Sequence, residues 1–163
     1  DGVVKKTNNK LQETFMENAK SVGLKVNGCF ILGLPGDDYE QMYDTMEYSK
    51  KLMPNTAQFY PHMLYPGTQS FKWAEESGII AHKDWDRWLT KDGYHNTPLV
   101  QNGIASDELL RLCDIARQRF YLNPHYIWKM VVQSLTDVGE FKRMMIAGRT
   151  FFPILVKSLF SKS

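Results

Sequence analysis

The sequence predicts an α/β fold continued by an all-helical C-terminal extension, and three observations predict it. V-N-G-C-F-I-L-G-L-P-G-D at Val26 to Asp37 reads as a buried strand running into a glycine-rich loop and a helix cap. T-A-Q-F-Y-P-H-M-L-Y-P-G-T at Thr56 to Thr68 repeats that pattern, and beyond Gly103 only helical periodicity remains. Two successive βα units aim their loops at one face, beyond the carboxyl ends of their strands, where such folds carry their chemistry.

The first helix is expected from Thr7 to Val22, with Leu11, Phe15, Ala19 and Val22 on one face and Gly23 as its left-handed stop. Strand one follows over Lys25 to Leu32. Its apolar residues run on both parities, as in a parallel strand buried on two sides. The second helix, from Asp38 to Met53, starts with Asp37 and Glu40 in capping-box spacing and carries Tyr39, Met42, Met46 and Met53 as its stripe. Pro54-Asn55 ends it. Strand two spans Thr56 to Tyr60 and is closed by Pro61. Thr68 is the N-cap of a short helix over Gln69 to Ser77, which Gly78 terminates. From Ile79 to Gly103 no period is sustained, and a connector this long is usually functional or part of an interface. Ser106 and Glu108 then open a helix to Leu122, Pro124 takes the first position of another, and a last helix runs from Val138 to Phe160 with a kink at Pro153.

At 163 residues the chain suits one domain with a real core; two would be a squeeze. Nine Phe, eight Tyr and four Trp with 23% charged residues describe a packed protein rather than a disordered one. Twenty basic residues stand against 18 acidic, which excludes a strongly basic nucleic-acid binder. Cys29 and Cys113 match neither a disulfide framework nor a C-x-x-C metal pattern, and a cytoplasmic location is expected. No signal peptide opens the chain, and no run reaches the roughly 18 apolar residues of a membrane span. The chain starts at Asp1 without methionine, and its first helix lacks a preceding strand, so a fragment of a larger protein is expected.

Gly33-Leu34-Pro35-Gly36 has neither the lysine nor the glycine spacing of a phosphate loop; its glycines permit a tight turn and a close approach to a ligand. Asp37 reads as a cap before it reads as a catalytic carboxylate. His62, just after strand two, is placed to bond a ligand or exchange a proton, against the simpler reading of a polar residue satisfied by a neighbouring loop. His82, Asp84 and Asp86 match no established metal site and read as a solvated loop. Trp85, Trp88 and Tyr94 pin the connector rather than stack on bases. Cys29 reads as a small buried hydrophobe. The last helix, rich in Phe and Met beside Lys142, Arg143, Arg149, Lys157 and Lys162, packs on the domain or a partner, or lies in a membrane interface.

Three stretches together, Gly23 to Asp37, Gln58 to Thr68, and S-D-E-L-L-R-L-C-D-I-A-R-Q-R-F-Y-L-N-P at Ser106 to Pro124, resemble the C-terminal half of radical S-adenosylmethionine enzymes of the cobalamin-binding-domain class. The resemblance implies the last βα units of a partial (β/α)6 TIM-like barrel followed by an all-helical C-terminal extension: residues 1–78 in the barrel, 79–105 as connector and 106–163 as extension. It also implies cofactor-binding residues, with Cys29, Ile31 and Gly33 around the adenine of S-adenosylmethionine, Tyr60 and His62 facing the same cavity, and Gly36 among the cofactor-binding residues. No catalytic or metal-ligating residue is implied in this chain. The family's cysteine triad is absent, so the 4Fe-4S cluster that cleaves the cofactor to a 5′-deoxyadenosyl radical, and any cobalamin domain, would lie upstream of Asp1. The chain alone would then be inactive and bind none of these cofactors.

The implied partners are the upstream part of the same protein and a small-molecule or lipid-like substrate, with no nucleic acid. Two strands alone would expose an edge and an apolar face, and a homodimer or strand exchange covering them is expected. The alternative is a self-standing helical interaction module that binds a protein partner or a membrane surface.

Overall fold

The computed structural model describes residues 8–80, 84–88, 103–136, and 139, 142, 145, 146, 148 and 149. It divides into two compact units, Asp1–Arg117 and Gln118–Ser163. In order, the elements are α1 (Asn9–Ser21), β1 (Asn27–Leu32), α2 (Tyr39–Leu52), β2 (Thr56–Pro61), α3 (Gln69–Glu76), a 3-10 turn (Trp85–Trp88), α4 (Ser106–Tyr121) and α5 (Pro124–Thr136).

β1 and β2 pair in parallel, Asn27 opposite Thr56 through Leu32 opposite Pro61. Alternation then sorts their side chains. One face holds Phe30, Leu32, Ala57, Phe59 and Pro61, half-buried or buried, with the Phe30 and Phe59 rings stacked 5.2 Å apart. Gly28 leaves room for this pair, since a Cβ there would stand 2.8 Å from the Phe30 ring. Met42, Met46 and Ser49 are the buried residues of α2, the covering helix. The opposite face holds Asn27, Cys29 and Ile31 beside Thr56, Gln58 and Tyr60, all exposed. A strand buried on two sides was expected, and an apolar open face; among the described residues one side is covered and the open side is mostly polar.

The two sheet edges differ. The N–H groups of Thr56 and His62 donate to Val26 and Leu32 carbonyls of the neighbouring strand, so even-numbered residues of β2 turn their backbone groups inward and odd-numbered ones outward. Phe59 therefore presents its carbonyl on the outer edge, where Arg117 Nη2 of α4 donates to it at 3.0 Å. Asp114 holds that guanidinium from the preceding turn. Beyond β1, no further strand is paired among the described residues.

Several expectations shift by a residue or a face. α2 is capped by Asp38, not Asp37: Asp38 accepts from Gln41 N–H while the Gln41 side chain accepts from Asp38 N–H, a complete capping box. Tyr39, read as part of the buried stripe, is exposed. On α1 the buried residues are Met16 and Ala19, whereas Leu11, Phe15 and Val22 of the expected stripe are exposed. Polar contacts select that side of the helix: Tyr48 OH donates to Gln12 Oε1, Lys51 pairs with Glu13, and Lys20 reaches the Leu52 carbonyl. Thr68 caps α3 as expected. Trp88 is buried with Leu64 and Ala74, and Trp85 stacks near Phe71, so both indoles fasten the connector to α3. Tyr94 and His82 lie outside the described residues, as does most of the helix expected over 138–160, Pro153 included; its described residues, 139, 142, 145, 146, 148 and 149, are helical.

Candidate functional site

The loops after β1 and β2 lie at the same end of the sheet because the strands are parallel. In the first, Gly33 and Gly36 hold φ of +78° and +93°, a region that favours glycine. Asp37, released from capping, closes the turn: its carboxylate accepts from Leu34 N–H at 2.9 Å while its own N–H donates to the Leu34 carbonyl at 2.8 Å. Burial raises its pKa, although hydrogen bonds from Leu34 and Gly33 oppose the shift.

The close approach that Gly33 permits is to protein. A Cβ on it would stand 2.6 Å from Leu109 Cδ2, so the first turn of α4 fills that side of the loop. Glu108 ties α4 to the start of α2 through a hydrogen bond from Tyr39, and Arg111, one turn along α4, holds the same carboxylate with two hydrogen bonds of 2.7 and 2.8 Å. Around Gly36 the space is open.

On the open sheet face one amide gathers the polar groups. Gln58 Oε1 accepts from Tyr60 OH at 2.9 Å, Asn27 Nδ2 at 3.2 Å and the Cys29 thiol at 3.6 Å, and Thr56 Oγ1 donates to Asn27 Oδ1 at 2.7 Å. Ile31 lies directly opposite Tyr60 and adds apolar surface to the same face. The face therefore offers a thiol, a phenol, a hydroxyl, two amides and one aliphatic side chain, a set suited to a flat ligand with a polar edge.

Of the six expected cofactor-binding residues, Cys29, Ile31 and Tyr60 share this face, and Gly33 and Gly36 shape the loop beyond it. Cys29 is exposed rather than buried. His62 stands apart: it is 7% exposed, anchored by its N–H to the Leu32 carbonyl at 2.7 Å, and desolvation lowers its pKa, so the imidazole is neutral at neutral pH. Gln58 was not singled out from sequence, yet its parity with Tyr60 was the available signal. Asp84 accepts from Asp86 N–H within the connector turn. Among the described residues no group of three His, Cys, Asp or Glu is placed to hold a metal ion. An open groove of about 520 Å³ between α1 and α2, lined by Asn9, Asp44, Thr45, Glu47, Tyr48 and Lys51, contains none of the candidate residues.

Comparison with known proteins points to methyltransferases. The chain is 29% identical over 119 residues to an uncharacterized methyltransferase of Pyrococcus horikoshii, an alignment covering 72% of this chain and 25% of that protein. It is 30% identical over 76 residues to the bacteriochlorophyllide d C-8(2)-methyltransferase of Chlorobaculum tepidum, covering 45% of this chain and 16% of that protein. The matched part of each relative is thus a quarter of its length or less. No protein-family model matches the chain, and no solved structure matches it.

Proposed function

We propose that this chain is the C-terminal part of an S-adenosylmethionine-dependent methyltransferase of the radical, cobalamin-linked kind, and that the open face of β1 and β2 forms one wall of its cofactor and substrate pocket. The observation that carries the reading is the two-sided character of the sheet: an apolar, covered face and an opposite face built as a hydrogen-bonded polar platform. The unequal edges support the barrel. Arg117 closes the outer edge of β2, as suits a last strand, and the β1 side is where four further parallel strands would add. The likeness to two proteins named as methyltransferases supports the chemistry.

S-adenosylmethionine fits the residues present. Ile31 offers apolar surface for the adenine ring, Gln58 and Tyr60 offer polar groups for its edge, and the turn at Gly36 leaves space at the strand ends. Neutral His62 shapes that end without adding charge. When bound, the cofactor supplies an activated methyl group. A 4Fe-4S cluster does not fit this chain: Cys29 lies on the sheet face and Cys113 is buried in α4, with no third ligand beside either among the described residues. Its ligands, and cobalamin, belong in this reading to other parts of the polypeptide.

The test is made on the longer polypeptide that contains this chain, reconstituted anaerobically with iron, sulfide and cobalamin, whose reduced form accepts the methyl group, and given S-adenosylmethionine and a reductant. The reading predicts 5′-deoxyadenosine and S-adenosylhomocysteine, with Gln58→Ala raising the KM for S-adenosylmethionine by about tenfold, as expected for losing a polar contact to the ligand. A folded polypeptide that forms neither product contradicts it.

A further inference from the structure

Helix α5 wears its apolar side outward. Ile127, Trp128, Val131, Val132 and Leu135 fall on one stripe and are all exposed, Trp128 at 68% and Leu135 at 81%. The packed side is the more polar one: Tyr126 is buried against the rings of Phe120 and Tyr121, at 4.8 and 5.3 Å, and Gln133 is half-buried. A surface helix ordinarily shows the reverse arrangement, so this stripe calls for a partner. Charge indicates which. Residues 118–163 hold seven basic and two acidic residues, a net of +5, whereas residues 1–117 hold 13 basic and 16 acidic, a net of −3. A net cationic segment whose outward apolar stripe includes a tryptophan has the composition of an interfacial anchor. No helix among the described residues is long and apolar enough to cross a membrane, so such an anchor lies in the surface.

We propose that α5 docks on an anionic lipid surface. The stripe inserts among the upper acyl chains, Trp128 sits at the headgroup level, and the net positive charge of residues 118–163 draws the segment to the anionic surface. The proposal is independent of the methyltransferase reading, since it draws only on residues 118–163.

Co-sedimentation of the 163-residue chain with vesicles tests it. Partitioning onto phosphatidylcholine vesicles doped with phosphatidylglycerol should exceed that onto phosphatidylcholine alone by about tenfold or more and weaken as salt is raised. Trp128→Asp combined with Leu135→Asp should cut binding by at least about tenfold with the melting temperature and circular dichroism unchanged, and Trp128→Phe should retain it. Equal partitioning onto both vesicles, or none, overturns the proposal. So does a concentration-dependent dimer that the double aspartate variant dissolves, because a second copy would then be the cover of the stripe.

Discussion

The two glycines of the first loop separate two roles that look alike in sequence. Gly33→Ala places a methyl 2.6 Å from Leu109 Cδ2 at a positive φ, and a loss of about 1–3 kcal/mol in denaturant unfolding is expected. Adding Leu109→Ala should return part of that loss in a double-mutant cycle. Gly36→Ala meets no atom and bears only the backbone cost, about 1 kcal/mol. For the adjacent aspartates, Asp38→Ala removes the cap of α2, at about 1 kcal/mol. His62 adds a pH dependence. Burial holds its pKa below 6.5, so as pH falls the unfolded chain takes up the proton first. Stability attributable to His62 is full above about pH 6.5 and declines below it toward the lower folded pKa; a His62→Gln variant should show a flatter melting temperature across that range.

At the scale of elements, Arg117 joins α4 to the rim of the sheet. Arg117→Ala leaves the Phe59 carbonyl without its charged donor, and a loss of about 1 kcal/mol is expected, together with faster amide exchange along β2. This contact was illegible beforehand because it links residues 58 positions apart, whereas local signals were read well. Thr68 capping α3, Pro124 opening α5, and the shared face of Asn27, Cys29 and Ile31 all follow from spacing within a few residues. The capping box was misplaced by one position because Asp37 and Asp38 carry the same chemistry, and only the turn geometry assigns one to the loop and the other to the helix. On α1, Leu11, Phe15 and Val22 formed the stronger apolar stripe, but ties from Tyr48 and Lys51 bring the Met16 side inward. Gln58 escaped notice since a glutamine in mid-strand signals nothing alone; it becomes the centre of the face only when Asn27 and Tyr60 stand beside it.

For the molecule as a whole, the proposed function requires that the open face of β1 and β2 receive S-adenosylmethionine. The two cysteines supply a built-in contrast for testing it. Cys29 is exposed on that face, whereas Cys113 is fully buried in α4 with its thiol pushed up to about 12 by desolvation. The most direct measurement is the rate of iodoacetamide alkylation at each thiol, read by peptide mass spectrometry in the polypeptide that contains this chain, with and without S-adenosylmethionine. The account predicts that Cys29 reacts, that Cys113 stays unmodified, and that S-adenosylmethionine at about ten times its Kd slows Cys29 by about tenfold. A Cys29 rate that the cofactor leaves unchanged, while the cofactor demonstrably binds, would contradict the account.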